Sequence, residues 1–151
     1  MDAAAIDLQP TTILGVHETV PMQQLPAFFS RALGTAAAAI SDQGTHPAGP
    51  PVAVYRGMPT SVFDVTVGFP VESTVTEAPG TLLLTLPAGR AAVITHHGSY
   101  ESLPTTYDVL GRWMRKHGLA PAPLMWEQYL VGPESTPESA GWVTRIVNPV
   151  A

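Results

Sequence analysis

The side chain with the clearest chemical potential is Glu127. It lies in Met125-Trp126-Glu127-Gln128-Tyr129-Leu130, a run otherwise apolar, aromatic or neutral. Alternate side chains of a strand share a face, so Met125, Glu127 and Tyr129 fall on one side and Trp126, Gln128 and Leu130 on the other. A carboxylate between a methionine and a tyrosine either stands on a wetted outer face or is enclosed in a polarised pocket. The run by itself allows both. If enclosed, lost hydration raises its pKa, while a cationic ligand favours its charged form. An apolar pocket with one carboxylate suits a hydrophobic cation. It equally suits general acid catalysis on a strained or basic leaving group.

Other candidates are weaker. Tyrosines beside a cleft can line it with ring faces while their hydroxyls orient a polar group, and Tyr55 and Tyr129 are the best pair for this. His96 and His97 adjoin Gly98-Ser99-Tyr100 at a strand end, but consecutive strand residues point to opposite faces and make poor co-ligands for one metal. Ser99 near His97 suggests a nucleophile and base, without a nucleophile-elbow pattern to support it. The chain has no cysteine, which excludes thiolate catalysis and cysteine-held metal sites. No glycine-rich phosphate loop or dinucleotide fingerprint occurs, so no cofactor or metal is expected.

The elements that must position these residues read as two similar series. Residues 12–19 form a strand, ended by Pro21. From 23 to 41, Leu25, Phe29, Ala32, Ala36 and Ile40 recur at helical spacing, with Pro26 tolerable in the first turn and Gly44 as a stop. Strands follow over 52–56 and 62–69, joined by the hairpin link Gly57-Met58-Pro59-Thr60-Ser61. In the second, Phe63, Val65 and Val67 alternate with Asp64 and Thr66, the pattern of a strand buried on one face. The order then returns: strands over 81–86 and 90–97, a helix from about 101–103 with Leu103, Tyr107, Leu110 and Met114 on one stripe, and Gly118 ending it. Strands over 125–131 and 141–147 close the chain.

The two series match in register. Leu25-Pro26 meets Leu103-Pro104 at an offset of 78, with Phe29 against Tyr107 and Ala32 against Leu110. Beyond the Pro-rich loops the offset becomes 74, where Tyr55 meets Tyr129 and Ala53 meets Glu127. An internal duplication follows. The expected architecture is α+β, with two strand-helix-strand-strand modules (about 10–72 and 80–147), antiparallel sheet and a central ligand cleft. The duplication supplies one acid, not a symmetric pair.

Composition narrows the partners. Seven basic against twelve acidic residues give a formal charge of −5, which opposes direct nucleic-acid binding. Arg112, Arg115, Lys116 and His117 form the one basic cluster, near a helix C-terminus where cations suit the dipole. No apolar run reaches the roughly 18 residues of a membrane span. The first residues lack a basic and an apolar region of signal-peptide type, so a cytoplasmic protein is expected.

With these residues in view, the chain resembles the GyrI-like proteins, related to the effector-binding domains of AraC- and MerR-type bacterial transcription regulators. The resemblance runs over about 8–147 as a single domain. It is carried by Trp126-Glu127-Gln128-Tyr129-Leu130 with Gly132-Pro133, by Gly98-Ser99-Tyr100-Glu101-Ser102-Leu103, and by Val67-Gly68-Phe69-Pro70-Val71. It implies that Glu127 is enclosed at the base of an aromatic-lined pocket accepting hydrophobic, often cationic molecules. Trp126, Glu127 and Tyr129 carry over from the motif; Tyr55 and Tyr107 follow from their places in the modules, with Phe63 and Met125 as further lining. Three roles are implied. Stand-alone small-molecule binding comes first, since a chain this short leaves no room for a helix-turn-helix module. A hydrolase opening electrophilic cyclopropane rings would use Glu127 with Tyr55 or Tyr129 as catalytic groups. An inhibitor of the gyrase-inhibitor type would need a protein partner.

Overall fold

The computed structural model describes residues 2–57 and 61–151. It is an α+β protein whose described residues form eight strands and two α-helices in the order β1 (Ala4–Leu8), β2 (Thr11–Pro21), α1 (Leu25–Asp42), β3 (Val52–Arg56), β4 (Val62–Pro70), β5 (Leu82–Leu86), β6 (Gly89–His97), α2 (Leu103–Lys116), β7 (Leu124–Val131) and β8 (Val143–Pro149). The chain divides into two compact units. The first is Gln9–Ala88; the second joins Met1–Leu8 to Gly89–Ala151.

Each unit is a four-stranded antiparallel sheet with one helix. The first has strand order β5-β2-β4-β3 and the second β1-β6-β8-β7. The registers confirm the duplication. Ile13 pairs with Pro70 and Ala91 with Pro149, so β2 maps onto β6 at an offset of 78 and β4 onto β8 at 79. Ala53 pairs with Val67, and Glu127 with Ile146, keeping the 74-residue offset between β3 and β7. Phe63 therefore corresponds to Trp142, the residue just before β8.

Two strand assignments differ from the sequence reading. β1 is a strand that the composition of residues 4–8 does not announce. The run 81–86 reads as the opening of the second series, but β5 pairs with β2, while β1 pairs with β6. Each leading strand thus completes the sheet of the other half. Periodicity marks a strand but says nothing about its partner, which is a non-local choice.

Both helices start the same way. Short 3₁₀ turns, Met22–Gln24 and Tyr100–Ser102, lead into them, and a proline occupies the first turn, where its missing N–H costs no hydrogen bond. Gly44 and Gly118, at φ 75° and 67°, follow their C-termini in the left-handed region. On α1 the buried stripe is Phe28, Ala32, Ala36, Ala39 and Ile40, so Phe28 fills the place expected of Phe29, which is half-buried. On α2, Leu110 and Met114 pack with Ala92, Ile94 and Ile146, joined by Leu103, Tyr107 and Met125. This defines the helix-facing side of the second sheet.

The middle of β4 is not one-sided: Val65, Thr66, Val67 and Gly68 are all buried. Gly15 and Gly68 face each other across β2 and β4. A Cβ on Gly68 would stand 2.0 Å from the Leu14 carbonyl oxygen, and one on Gly15 2.8 Å from that of Val67. Only glycine permits this backbone approach. The hairpin link expected at 57–61 lies partly outside the described residues.

Candidate functional site

Strand alternation and register build the site in the second unit. Glu127 pairs with Ile146, and Tyr129 with Thr144, which pairs in turn with His96. Ile146 packs under α2, so Glu127, Tyr129, Thr144 and His96 share the helix-facing side of the sheet. Glu127 is 6% exposed, so the alternative that the sequence leaves open resolves to enclosure.

Both carboxylate oxygens are occupied by phenols. The Tyr129 hydroxyl donates to Oε1 at 2.6 Å, and the Tyr107 hydroxyl donates to Oε2. Tyr107 also lies 3.7 Å from the Met125 sulfur. Burial pushes the Glu127 carboxyl above the usual carboxylate range, opposed in turn by the Tyr107 bond, the Tyr129 bond and nearby His96. Donated hydrogen bonds favour an acceptor-only carboxylate, so the two phenols partly offset the cost of enclosing a charge.

An aromatic group adjoins the acid. Tyr100 meets Tyr129 edge-on at 5.9 Å between ring centroids and lies tilted against Trp142 at 4.9 Å. The Trp142 indole N–H donates to the Thr136 carbonyl at 2.9 Å, fixing that ring. Lost hydration, then the charges of Glu134 and Glu127, push the Tyr100 phenol above its ordinary pKa. Ring faces thus lie beside two carboxylates, a set of groups able to offer a ligand both charge and aromatic contact.

Of the seven residues expected at the site, Glu127, Tyr129, Tyr107 and Met125 come together. Trp126 is buried on the opposite face of the sheet, where it pairs with Val147. Tyr55 and Phe63 belong to the first unit and touch each other edge-on at 6.0 Å; Ala53 occupies the position equivalent to the acid. Sequence reasoning missed Tyr100, Trp142 and His96. The signal for Trp142 was its correspondence to Phe63, hidden because the linker before β8 changes the offset to 79. Ser99 does not serve His97: its hydroxyl accepts from the Glu101 N–H, capping the 3₁₀ turn, and His97 is exposed.

A family model described as the GyrI-like small molecule binding domain matches residues 1–151. The chain belongs to the GyrI-like family. No curated protein matches it. Among solved structures, the EcmrR C-terminal domain is similar at TM-score 0.79 and 19% identity, covering 99% of this chain and 97% of that one. In the EcmrR–DNA complex the match covers 57% of the longer EcmrR chain at TM-score 0.77. SAV2435 bound to tetraphenylphosphonium gives TM-score 0.73 at 15% identity over 100% and 94% of the two chains. A hydrolase encoded by lin2189 from Listeria innocua gives 0.69 at 13% over 99% and 91%. At these identities the likeness shows a shared GyrI-like fold. Among the described residues, no helix is long and apolar enough to cross a membrane.

Proposed function

We propose that this GyrI-like domain binds hydrophobic organic cations, with Glu127 as the charge-selective group and Tyr100, Tyr129 and Trp142 supplying ring faces. The observation that carries the reading is a carboxylate 6% exposed whose two oxygens are each held by a tyrosine hydroxyl. Such a group is costly to enclose, and a cation in contact with it recovers favourable Coulomb energy in a low-dielectric setting. The tetraphenylphosphonium held by SAV2435 supports this ligand chemistry.

Titration calorimetry with tetraphenylphosphonium tests the reading. Wild type is expected to bind, E127Q to bind at least about tenfold more weakly, a loss of about 1.4 kcal/mol. Affinity should also fall as pH drops through the raised pKa of Glu127, because protonation removes the charge. Equal affinity in E127Q would refute charge selection.

Hydrolysis is the second reading, favoured by the phenol-to-carboxylate chain around Glu127. There the carboxylate takes a proton from water as the water oxygen attacks a cyclopropane carbon. The ring C–C electrons pass into a conjugated carbonyl, whose oxygen is protonated by a phenol, and the proton gained by Glu127 returns along the phenol–carboxylate hydrogen bond to the phenolate. The fold shared with the lin2189 hydrolase supports it. Incubation with a panel of such electrophiles, read by mass spectrometry for addition of one water, separates turnover from binding.

A further inference from the structure

His96 is the buried titratable group that the binding reading leaves unused. It is 3% exposed. Its Nε2 lies 2.8 Å from the Ser99 carbonyl oxygen and 3.2 Å from Ser102 Oγ, and its Nδ1 lies 2.7 Å from Thr106 Oγ1. A carbonyl only accepts, so Nε2 carries a proton and donates to it, while Nδ1 shares a hydrogen bond with the Thr106 hydroxyl. One imidazole therefore ties together the end of β6, the 3₁₀ turn Tyr100–Ser102 and the first turns of α2.

Those segments carry the two tyrosines that frame the acid. The turn presents Tyr100, which contacts Tyr129 and Trp142. Thr106 immediately precedes Tyr107, which donates to Glu127. The first unit offers an internal comparison. At the 78-residue offset, His96 corresponds to Glu18, which bonds to Arg31, and Thr106 corresponds to Phe28. Met22, the counterpart of Tyr100, is 62% exposed, whereas Tyr100 is half-buried. The histidine staple and the acid occur in the same unit; the unit with Ala53 has neither.

We infer that His96 is a positioning residue of the Glu127 site, a staple that fixes Tyr100 and Tyr107 around the carboxylate. The functional half of this inference rests on the binding reading above; the geometric half does not. Two measurements on wild type, H96A and H96Q separate them. Glutamine offers one donor and one acceptor, so it can replace the two imidazole nitrogens in part.

The first measurement is the Trp142 indole N–H resonance, identified with W142F, which reports the ring of Tyr100 tilted against it. It is expected to shift in H96A and to move back toward the wild-type position in H96Q. The second is tetraphenylphosphonium affinity, expected to fall about tenfold in H96A and to recover most of that in H96Q. If wild type binds no cation, the binding reading fails and the Trp142 resonance alone decides the staple. If H96A does not fold, T106V removes the Nδ1 partner with little change of volume and should shift the same resonance. An unmoved Trp142 resonance in every folded variant overturns the inference. So does an affinity loss that is equal in H96A and H96Q.

Discussion

Glu127 is a charge that folding encloses, and this has a consequence for stability as well as binding. Its folded-state pKa is raised by burial, so the folded protein holds the proton more tightly than the unfolded chain. The associated stabilisation is fully present below the unfolded pKa, about 4.3, and is lost as pH rises through the higher folded value. Above that value, the ionised group is a cost that glutamine does not carry. E127Q should therefore melt at a higher temperature than wild type at pH above that folded value, and the gap should close on acidification. Thermal melts of both proteins across pH 4–8 check the sign. Better stability with weaker cation binding in one variant is the signature of a functional charge. The sequence identified this residue but not its state: an alternating strand leaves the wetted and the enclosed face equally available, and the phenol of Tyr107 arrives from a helix 20 positions away.

At the scale of elements, the helices were the most legible. The Leu-Pro pairs and the glycines after each helix specify start and stop through local backbone chemistry. The buried face was less so, because Phe28 and Phe29 are adjacent aromatics and only packing selects between them. In the strands, local pattern underdescribed β4, where Thr66 is 3% exposed despite its place in the polar half of the alternation. The Gly15–Gly68 crossing is the most restrictive local feature of that sheet. G68A should lower stability by about 1–3 kcal/mol, since the added methyl would meet backbone that cannot turn aside. Chemical denaturation measures it, and an unchanged midpoint would contradict the close approach. Gly132 is milder, with a Cβ expected 3.3 Å from the Tyr100 hydroxyl.

On the scale of the whole molecule, the exchange of leading strands couples the chain's beginning to its second half. β1 pairs along its full length with β6, although some 80 positions separate them. Deleting residues 2–8 should leave the β6 edge unpaired, lowering the melting temperature and promoting association through that edge. Melting together with light scattering tests this. Loss confined to a frayed N-terminus would leave both unchanged.

The sequence by itself determined the duplication, the helices with their proline starts, the GyrI-like resemblance and Glu127 as the odd residue between equivalent strands. These are local or periodic properties, written in side-chain type and spacing. Only the tertiary structure decided which strand completes which sheet, that Trp126 turns away from the acid, and that Tyr100, Trp142 and His96 gather near it. Those outcomes depend on register and on contacts between distant positions. A 79-residue shift in β8 suffices to bring Trp142 into a place that the earlier 74-residue spacing does not point to.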